Sequence, residues 1–240
     1  LPRDKSVIDC VRVACYINQI PGAIDMIKDA HDKGYETTLN LMAISKVQDR
    51  ELEEALAAAA KSPVDTVYVV DSNGAFYSEQ IHDLVMGFLE ALEGTGKHVG
   101  IHAHNNMQLA YANTIEALIV GANRLDATIA GLGRGAGNCP LELLLAFLKN
   151  PKFRLRPVIE CIEKHFVPLS KTIDWGYSIP YLITGMLNEH PRAAMEVRES
   201  EHKDEYLAFY RRALGYVLER NRAGVELVAE GLESVAVGAG

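Results

Sequence analysis

Alternation of strand-like and helix-like segments over the first 150 residues restricts the fold of this chain more than any other feature of its sequence. Apolar, β-branched runs recur at 7–15, 37–44, 66–70, 98–101 and 124–130. Segments with helical periodicity separate and follow them, at 23–33, 49–60, 78–93, 110–120 and 141–148. This alternation is typical of βα units in a parallel sheet, so the predicted fold class is α/β.

The repeat length of about 30 residues per unit matches that of a TIM-type (β/α)8 barrel, which has about 250 residues in eight units. The chain supplies five such units, and five strands do not close a barrel with a filled interior. We therefore expect residues 1–150 to form the C-terminal part of a barrel, with the other strands absent or supplied by another chain. On this interpretation the chain by itself is catalytically incomplete.

The second half of the chain has a different character. Prolines 151, 157, 168, 180 and 191 divide it into short helices, and the residues from Arg192 onward are strongly charged. We predict that 151–240 forms a helical appendage beside the C-terminal face of the barrel or at a subunit interface. The small, Gly-rich and Ala-rich end at 231–240 is expected to fray.

Composition excludes several classes of partner. A net charge of −8 offers no basic surface for nucleic acid, and no apolar run has the length of a membrane span. Residues 1–5 do not resemble a signal peptide. The four cysteines lack C-x-x-C spacing, which favours reduced thiols and a cytoplasmic protein. Cys139, beside a Gly-rich loop, is either a structural or a reactive thiol.

The triplet His102-Ala103-His104 is the strongest candidate for a functional site. It directly follows the apolar run 98–101. Residues two apart in a strand point to the same face, so both imidazoles would be directed at one point. Neutral imidazoles in this arrangement supply half of a divalent-metal site.

Two other polar segments follow predicted strands, where the active sites of parallel barrels lie. Asp71 and Asn73 follow the third strand, and either a turn or a site explains an Asp-Ser-Asn-Gly sequence equally well. The Gly-rich loop 131–138 follows the fifth strand and lacks the Lys-Ser/Thr of a P-loop. We expect this loop to approach a metal-bound ligand closely with its backbone.

Segments 100–106, 112–114 and 124–142 together resemble the pyruvate-dependent class II aldolases, and most of all their 4-hydroxy-2-oxovalerate aldolase branch. That family belongs to the metal-dependent barrel group that includes hydroxymethylglutaryl-CoA lyase and isopropylmalate synthase. The similarity extends from about residue 7 to Tyr181. It implies cleavage or formation of a carbon–carbon bond in a 4-hydroxy-2-oxo acid, giving pyruvate and an aldehyde through a metal-stabilised enolate.

The resemblance also assigns residues. It makes His102 and His104 the metal ligands, makes Asn138 a loop residue that ligates or supports the metal, and directs Tyr181 to an aldehyde pocket. Tyr177 and Tyr181 are equally compatible with simple packing. Support of the ligands or contact with the substrate is expected from Asp71, Asn73 and Asn106. The implied cofactor is Mn²⁺ or Mg²⁺, with Zn²⁺ or Co²⁺ as alternatives.

The sequence departs from the family pattern at one point. The family's first strand carries an Asp followed by Arg-Asp-Gly, and this sequence contains no such motif. The family's acid/base histidine belongs to the same region. Two imidazoles without that carboxylate would hold Mn²⁺ or Mg²⁺ weakly, because these ions prefer oxygen ligands.

Three functions remain compatible with the sequence. The first is an aldolase acting on a small 2-oxo acid, expected as a homo-oligomer, with an aldehyde dehydrogenase as a candidate partner. The second is an acyl-CoA lyase or synthase, which would need cations around the mouth of the site. We expect few cations there because the chain is acidic. The third is a truncated, non-catalytic barrel piece with a structural or interaction role.

Overall fold

A computed structural model describes the backbone of residues 1–237 and the side chains of residues 1–223. Five parallel strands form one sheet in the order β1-β2-β3-β4-β5. Their bounds are Cys10–Cys15, Glu36–Leu41, Thr66–Asp71, His98–Ala103 and Arg124–Leu125. The α/β class expected from the alternating sequence pattern is confirmed.

Helices follow the strands and cover one face of the sheet. They are α1 (Ile20–Asp32), α2 (Asp49–Lys61), α3 (Ser78–Ala91), α4 (Ala110–Val120) and α5 (Leu141–Leu148). Each of the first three has an apolar stripe that packs on the strands, and Ile27, Ile81 and Phe88 are fully buried in this core. Burial of such side chains contributes about 1.5–3 kcal/mol each, so this layer supplies most of the hydrophobic stabilisation.

Contacts between strands that are not neighbours show that the sheet is strongly curled. Arg12 of the first strand forms a bidentate ion pair with Asp126, which follows the last strand. Arg124 of the last strand reaches Glu36 of the second, at 3.3 Å. A flat sheet would hold these groups far apart, since neighbouring strands lie about 4.8 Å from one another. The curl is that of a partial barrel with a concave inner face.

Three strand predictions need correction at their ends. The first run starts at Cys10 rather than residue 7, and Val7 is fully exposed. The second ends at Leu41, because Ala43 adopts a left-handed conformation with φ 53°. The fifth was expected over 124–130 and has only two residues, because the chain then leaves the sheet: Thr128 forms an isolated bridge with Pro140, and a 3-10 turn follows at Ile129–Gly131. β-Branched composition alone did not reveal this turn.

The second half of the chain is helical, as expected. Its helices are α6 (Leu155–Cys161), α7 (Val167–Leu169), α8 (Ile179–Met186), α9 (Arg192–Glu199) and α10 (Tyr206–Val237), with a π-helical turn at Ile162–Phe166. The charged run 196–205 is not one helix, since turns separate α9 from α10. Fraying at 231–240 stays a prediction, because side chains there and all of 238–240 lie outside the described residues.

The helical half lies against the carboxyl ends of the strands. Tyr181, Ile183 and Phe209 pack in a second apolar cluster that also includes Ala136 of the Gly-rich loop. Trp175 donates a hydrogen bond from Nε1 to the carbonyl of Ala130, at 2.9 Å. Over the described part of the chain, none of the helices combines the length and the apolar character needed to cross a membrane.

Candidate metal centre

A pocket of about 650 Å³ opens at the carboxyl ends of the strands, inside the curl of the sheet. Its wall includes His102 and His104 together with Asp126. Residues of the first three strands and of the loops after them line much of the rest, and Arg134 and His190 complete it. Parallel barrels carry their active sites at this end because the βα loops converge there.

The two histidines meet at one point, as their spacing predicted. Their ring centroids are 5.0 Å apart and the ring planes cross at 75°. With metal–nitrogen distances of about 2.1 Å, two imidazoles in adjacent positions on one cation have centroids on the order of 5 Å apart. The ring positions are therefore compatible with joint ligation of one ion.

Each imidazole is oriented through Nδ1. The Nδ1 of His102 lies 2.8 Å from Oδ2 of Asp126, and the Nδ1 of His104 lies 2.8 Å from the carbonyl oxygen of Asp71. An acceptor at Nδ1 fixes the proton there and leaves the lone pair on Nε2, the arrangement usual for histidine ligands. Burial lowers the pKa of His104 to about 4, with the adjacent His102 as the next cause. His104 is therefore neutral at physiological pH.

Asp126 connects His102 to Arg12, and sequence reasoning missed both Asp126 and Arg12. Burial opposes ionisation of Asp126, but hydrogen bonds from His102 and Arg12 outweigh it and hold the pKa of the carboxyl below its usual value. Arg12 also stacks over the ring of Tyr68, 4.5 Å from its centroid. The available signal was position, because Asp126 directly follows a strand beside the His-x-His strand.

Asn138 lies beside His104, since the two residues form an antiparallel bridge. Its Nδ2 donates to the carbonyl of Leu132 at 3.1 Å. Its Oδ1 is buried and has no hydrogen-bond partner among the described residues. An unsatisfied buried carbonyl oxygen is costly unless a ligand accepts its lone pair, so the amide is suited to binding a cation or a substrate donor.

The Gly-rich loop packs tightly around this asparagine. A Cβ on Gly133 would lie 2.4 Å from Asn138 Nδ2. Gly137 has φ +81°, and a Cβ there would lie 2.1 Å from the carbonyl oxygen of Gly131. Neighbouring Cys139 is buried, and burial raises the pKa of its thiol to about 11. These values favour the structural interpretation of Cys139 over the reactive one.

Asp71 supports this region with two groups, its side-chain carboxylate and its backbone carbonyl. Its carboxylate accepts hydrogen bonds from the amides of Ala75 and Phe76, at 3.0 and 3.3 Å, and so holds the turn after β3. Burial raises the pKa of this carboxyl to about 6. Its carbonyl orients His104, but the carboxylate itself does not line the pocket.

Asn73 and Asn106 connect the strand ends to the helical half. Asn73 lines the pocket and donates from Nδ2 to Oδ1 of Asn188, at 2.9 Å. Asn106 donates to the carbonyl of Tyr181 at 3.4 Å and is buried against Gly185. Asn73 is therefore the only one of the two that lines the pocket.

Tyr181 is buried in the second apolar cluster and lies outside the pocket wall. Its ring packs against Gly135, and the guanidinium of Arg198 lies 5.1 Å from the ring centroid. Tyr177 is about half exposed. Of the two interpretations given for Tyr181, packing describes these contacts and the aldehyde-pocket role stays a prediction.

The donor set fits a divalent cation in part. Within residues 1–223, no group of three or more His, Cys, Asp or Glu side chains is placed to hold a metal. Two imidazole nitrogens are available from His102 and His104, whereas Asn138, whose amide oxygen has no partner among the described residues, is not among the residues that line the pocket.

Cations surround the pocket, contrary to the sequence-based expectation of few. Arg12, Lys46 and Arg134 line it together with His190, whereas Asp126 is its one acidic lining residue among those described. Net charge did not predict this, because an acidic total of −8 says nothing about where the basic residues lie. The pocket is suited to an anion.

Comparison with known proteins finds a matching family model and several similar enzymes. Residues 15–164 match the model of a family described as HMGL-like. The chain is 36% identical over 144 residues to an oxaloacetate decarboxylase of Mycobacterium tuberculosis, covering 60% of this chain and 42% of that protein. It is 38% identical over 166 residues to a 4-hydroxy-2-oxovalerate aldolase of Thermus thermophilus, covering 68% and 47%.

A solved structure has the same fold. The N-terminal domain of a Bacteroides vulgatus protein, provisionally described as an aldolase, superposes with a TM-score of 0.69 at 31% identity. The superposition covers 80% of this chain and 64% of that one. The matched segments of the two curated relatives are 42% and 47% of their lengths, so the chain spans less than half of each.

Proposed function

The chain belongs to the HMGL-like family, and on that premise we propose that it carries the metal-binding part of a lyase acting on a small 2-oxo acid. The reaction is cleavage of a carbon–carbon bond in a 4-hydroxy-2-oxo acid to give pyruvate and an aldehyde, or the reverse condensation. Similarity to the Thermus thermophilus aldolase supports this substrate class.

The single observation that carries the proposal is the pair of oriented imidazoles. His102 and His104 converge at 5.0 Å between centroids, and each has its Nδ1 occupied by a protein acceptor. A purely structural His pair has no need for both rings to leave Nε2 available toward one pocket. We expect Mn²⁺ or Mg²⁺ as the physiological ion, with Zn²⁺ or Co²⁺ as alternatives.

A divalent cation bound there would supply Lewis acidity toward the oxygens of a 2-oxo acid. The protein's own residues do the rest of the work proposed here. His102 and His104 present their Nε2 atoms, Asp126 accepts the hydrogen bond from His102 Nδ1, and Arg12 helps hold Asp126 in its ionised form. The Asn138 amide oxygen offers a further acceptor beside His104.

Decarboxylation is a second candidate, because it uses the same electron flow with carbon dioxide in place of the aldehyde. Similarity to the Mycobacterium tuberculosis oxaloacetate decarboxylase and the cationic pocket wall favour it. An acyl-CoA reaction gains support from the same cations. A homo-oligomer, an aldehyde dehydrogenase partner and a cytoplasmic location stay predictions.

Titration with Mn²⁺, followed by electron paramagnetic resonance of the free ion, tests the metal centre directly. We expect one site per chain that is lost in His102→Ala and in His104→Ala. The matched control is His31→Ala, on the outer helix α1 and half exposed. Unchanged Mn²⁺ binding in both pocket variants would remove the metal-dependent functions and leave the non-catalytic one.

Turnover measurements address the incompleteness expected from the sequence. Because no group of three or more His, Cys, Asp or Glu side chains among the described residues is placed to hold the ion, we expect the chain alone to process a 4-hydroxy-2-oxo acid far below an ordinary enzymatic rate. Normal turnover by the purified chain would contradict this part of the proposal.

A further inference from the structure

The charges on the pocket wall do not balance. Arg12, Lys46 and Arg134 carry three positive charges there against the single negative charge of Asp126. In a chain whose net charge is −8, this local excess runs against the composition of the protein. Such a concentration of cations in a cleft raises the local concentration of anions.

Two of the three cations already have a carboxylate. Arg12 makes a bidentate pair with Asp126, and Lys46 lies 3.0 Å from Glu189. Arg134 has no Asp or Glu oxygen within 4.0 Å among the described residues. Its positive charge is therefore the one available to a ligand.

The contact that Arg134 does make is mismatched. Its Nη1 lies 3.1 Å from Nε2 of His190, while the backbone amide of Arg192 donates to Nδ1 of the same ring at 3.2 Å. Guanidinium and amide groups only donate, and a neutral imidazole has a single lone pair. The two donors cannot both be satisfied by His190, so one of them lacks a partner.

An anion would remove this mismatch. An oxygen placed between the two side chains could accept from Arg134 and from an Nε2–H of His190, while Nδ1 keeps the bond from Arg192. Burial and the positive charges of Arg134, Arg192 and Lys46 lower the pKa of His190, so the ring is neutral before the anion arrives.

The pair lies on the same pocket as the metal centre. Arg134 belongs to the Gly-rich loop, four residues before Asn138, and both Arg134 and His190 line the pocket with His102 and His104. Their charges also contribute, after burial and His102, to the lowered pKa of His104. The pocket volume of about 650 Å³ leaves room beyond a pyruvate-sized group.

We propose that Arg134 and His190 form a subsite for the second carboxylate of a 2-oxo dicarboxylic acid, whose 2-oxo end lies at the histidine pair. This inference rests on the proposed function and specifies its substrate class. A carboxylate matches the fork of one guanidinium. The several phosphates of coenzyme A would require more unpaired cations than the one that the described pocket wall offers.

Binding of two ligands of equal chain length tests the subsite. Calorimetry of the full chain at saturating Mn²⁺ compares 2-oxoglutarate with 2-oxopentanoate, which differ in one terminal carboxylate. We expect 2-oxoglutarate to bind at least about tenfold more tightly, the ratio that 1.4 kcal/mol produces. Arg134→Gln should abolish the preference, and Arg134→Lys should retain part of it.

The control variant is Arg50→Gln, which removes an equal charge from the exposed face of α2. Equal affinity for the two ligands in the wild type, a preference that survives Arg134→Gln, or competition by coenzyme A and not by 2-oxoglutarate would each overturn the subsite. Failure of the proposed function has another signature. In that case 2-oxopentanoate binding would be independent of Mn²⁺ and of His102→Ala, whatever Arg134→Gln does.

Discussion

The sheet half and the helical half of this protein are held together by different forces. The sheet half has a large apolar core between strands and helices, in which Leu39, Val67 and Phe88 are fully buried. The helical half has a small cluster around Tyr181 and Phe209. Besides the contact of this cluster with Ala136, polar contacts attach the helical half to the strand ends, including Ser45–Asn188 at 2.7 Å.

This difference corresponds to a division of roles. The sheet half supplies the oriented histidines and the Asp126–Arg12 pair, whose positions are fixed by burial and by bidentate geometry. The helical half contributes His190 to the pocket wall. Because polar docking is weaker than core packing, we expect the helical half to detach before the sheet unfolds.

Matched aromatic truncations are the strongest test of the contrast. Phe88→Ala should lower the free energy of unfolding by about 3–5 kcal/mol, because the cavity forms inside a rigid core. Phe209→Ala should cost less than half of that, because Phe209 packs in a cluster of only six buried residues. Urea unfolding followed by circular dichroism and by fluorescence of the single tryptophan, Trp175, measures both. Equal losses would contradict the contrast.

A pH-dependent test addresses Asp71 in the sheet half. Its pKa is about 6 in the folded protein against 3.8 ordinarily, so the folded state holds a proton that the unfolded state releases between these values. The stabilisation is therefore complete below about pH 4 and is lost as the pH rises to 6, by about 3 kcal/mol.

Asp71→Asn should remove this dependence. Urea unfolding of the metal-free chain at pH 4.5 and pH 6.5 measures it as the difference between wild type and variant. If the two proteins lose stability in parallel over this interval, Asp71 is not the titrating group.

The docking surface itself can be tested at Gly185 of α8. A Cβ there would lie 2.8 Å from Asn106 Cβ and 3.2 Å from the Gly74 carbonyl oxygen. Gly185→Ala should weaken docking by about 1–3 kcal/mol, as overpacking does. The signal is an earlier Trp175 fluorescence transition in urea. Gly87→Ala is the control, because no atom lies within 4 Å of its Cβ and the helix gains about 0.5–1 kcal/mol.

The last prediction concerns metal affinity. Asp126→Asn removes the charged acceptor of His102 Nδ1, and loss of such a partner weakens metal binding about 10- to 100-fold. Asn188→Ala, which disturbs only the attachment of the helical half, should leave Mn²⁺ affinity unchanged. A weaker ion site in both variants would mean that the two halves jointly form the metal centre.

Local patterns in the sequence predicted most of the fold. The bounds of α4 and α5 coincide with the predicted segments, because each has a clear helical period between turn residues. The prediction of a strand over 124–130 was wrong beyond Leu125. A β-branched run cannot reveal that Thr128 bridges Pro140 or that Ala130 is left-handed, with φ 54°. The predicted second strand extended past Leu41 for a similar reason, since Ala43 is left-handed. The predicted first strand began too early because Val7, although β-branched, is fully exposed.

The candidate site was predicted only where its residues are close in sequence. His102 and His104 are two residues apart, and strand periodicity alone brings them together. Arg12 and Asp126 are 114 residues apart, and Arg134 and His190 are 56 apart. Such pairs depend on the curl of the sheet and on docking of the helices, which no local pattern encodes.

The ion pair between the first strand and the residue after the last one has a mechanical consequence. Asp126 is shared by Arg12, which ties it to the opposite edge of the sheet, and by His102, whose ring it orients through Nδ1. Any event that moves the two edges apart therefore also disturbs the carboxylate that orients His102 for metal binding. Metal affinity should therefore fall as the two edges of this partial barrel move apart.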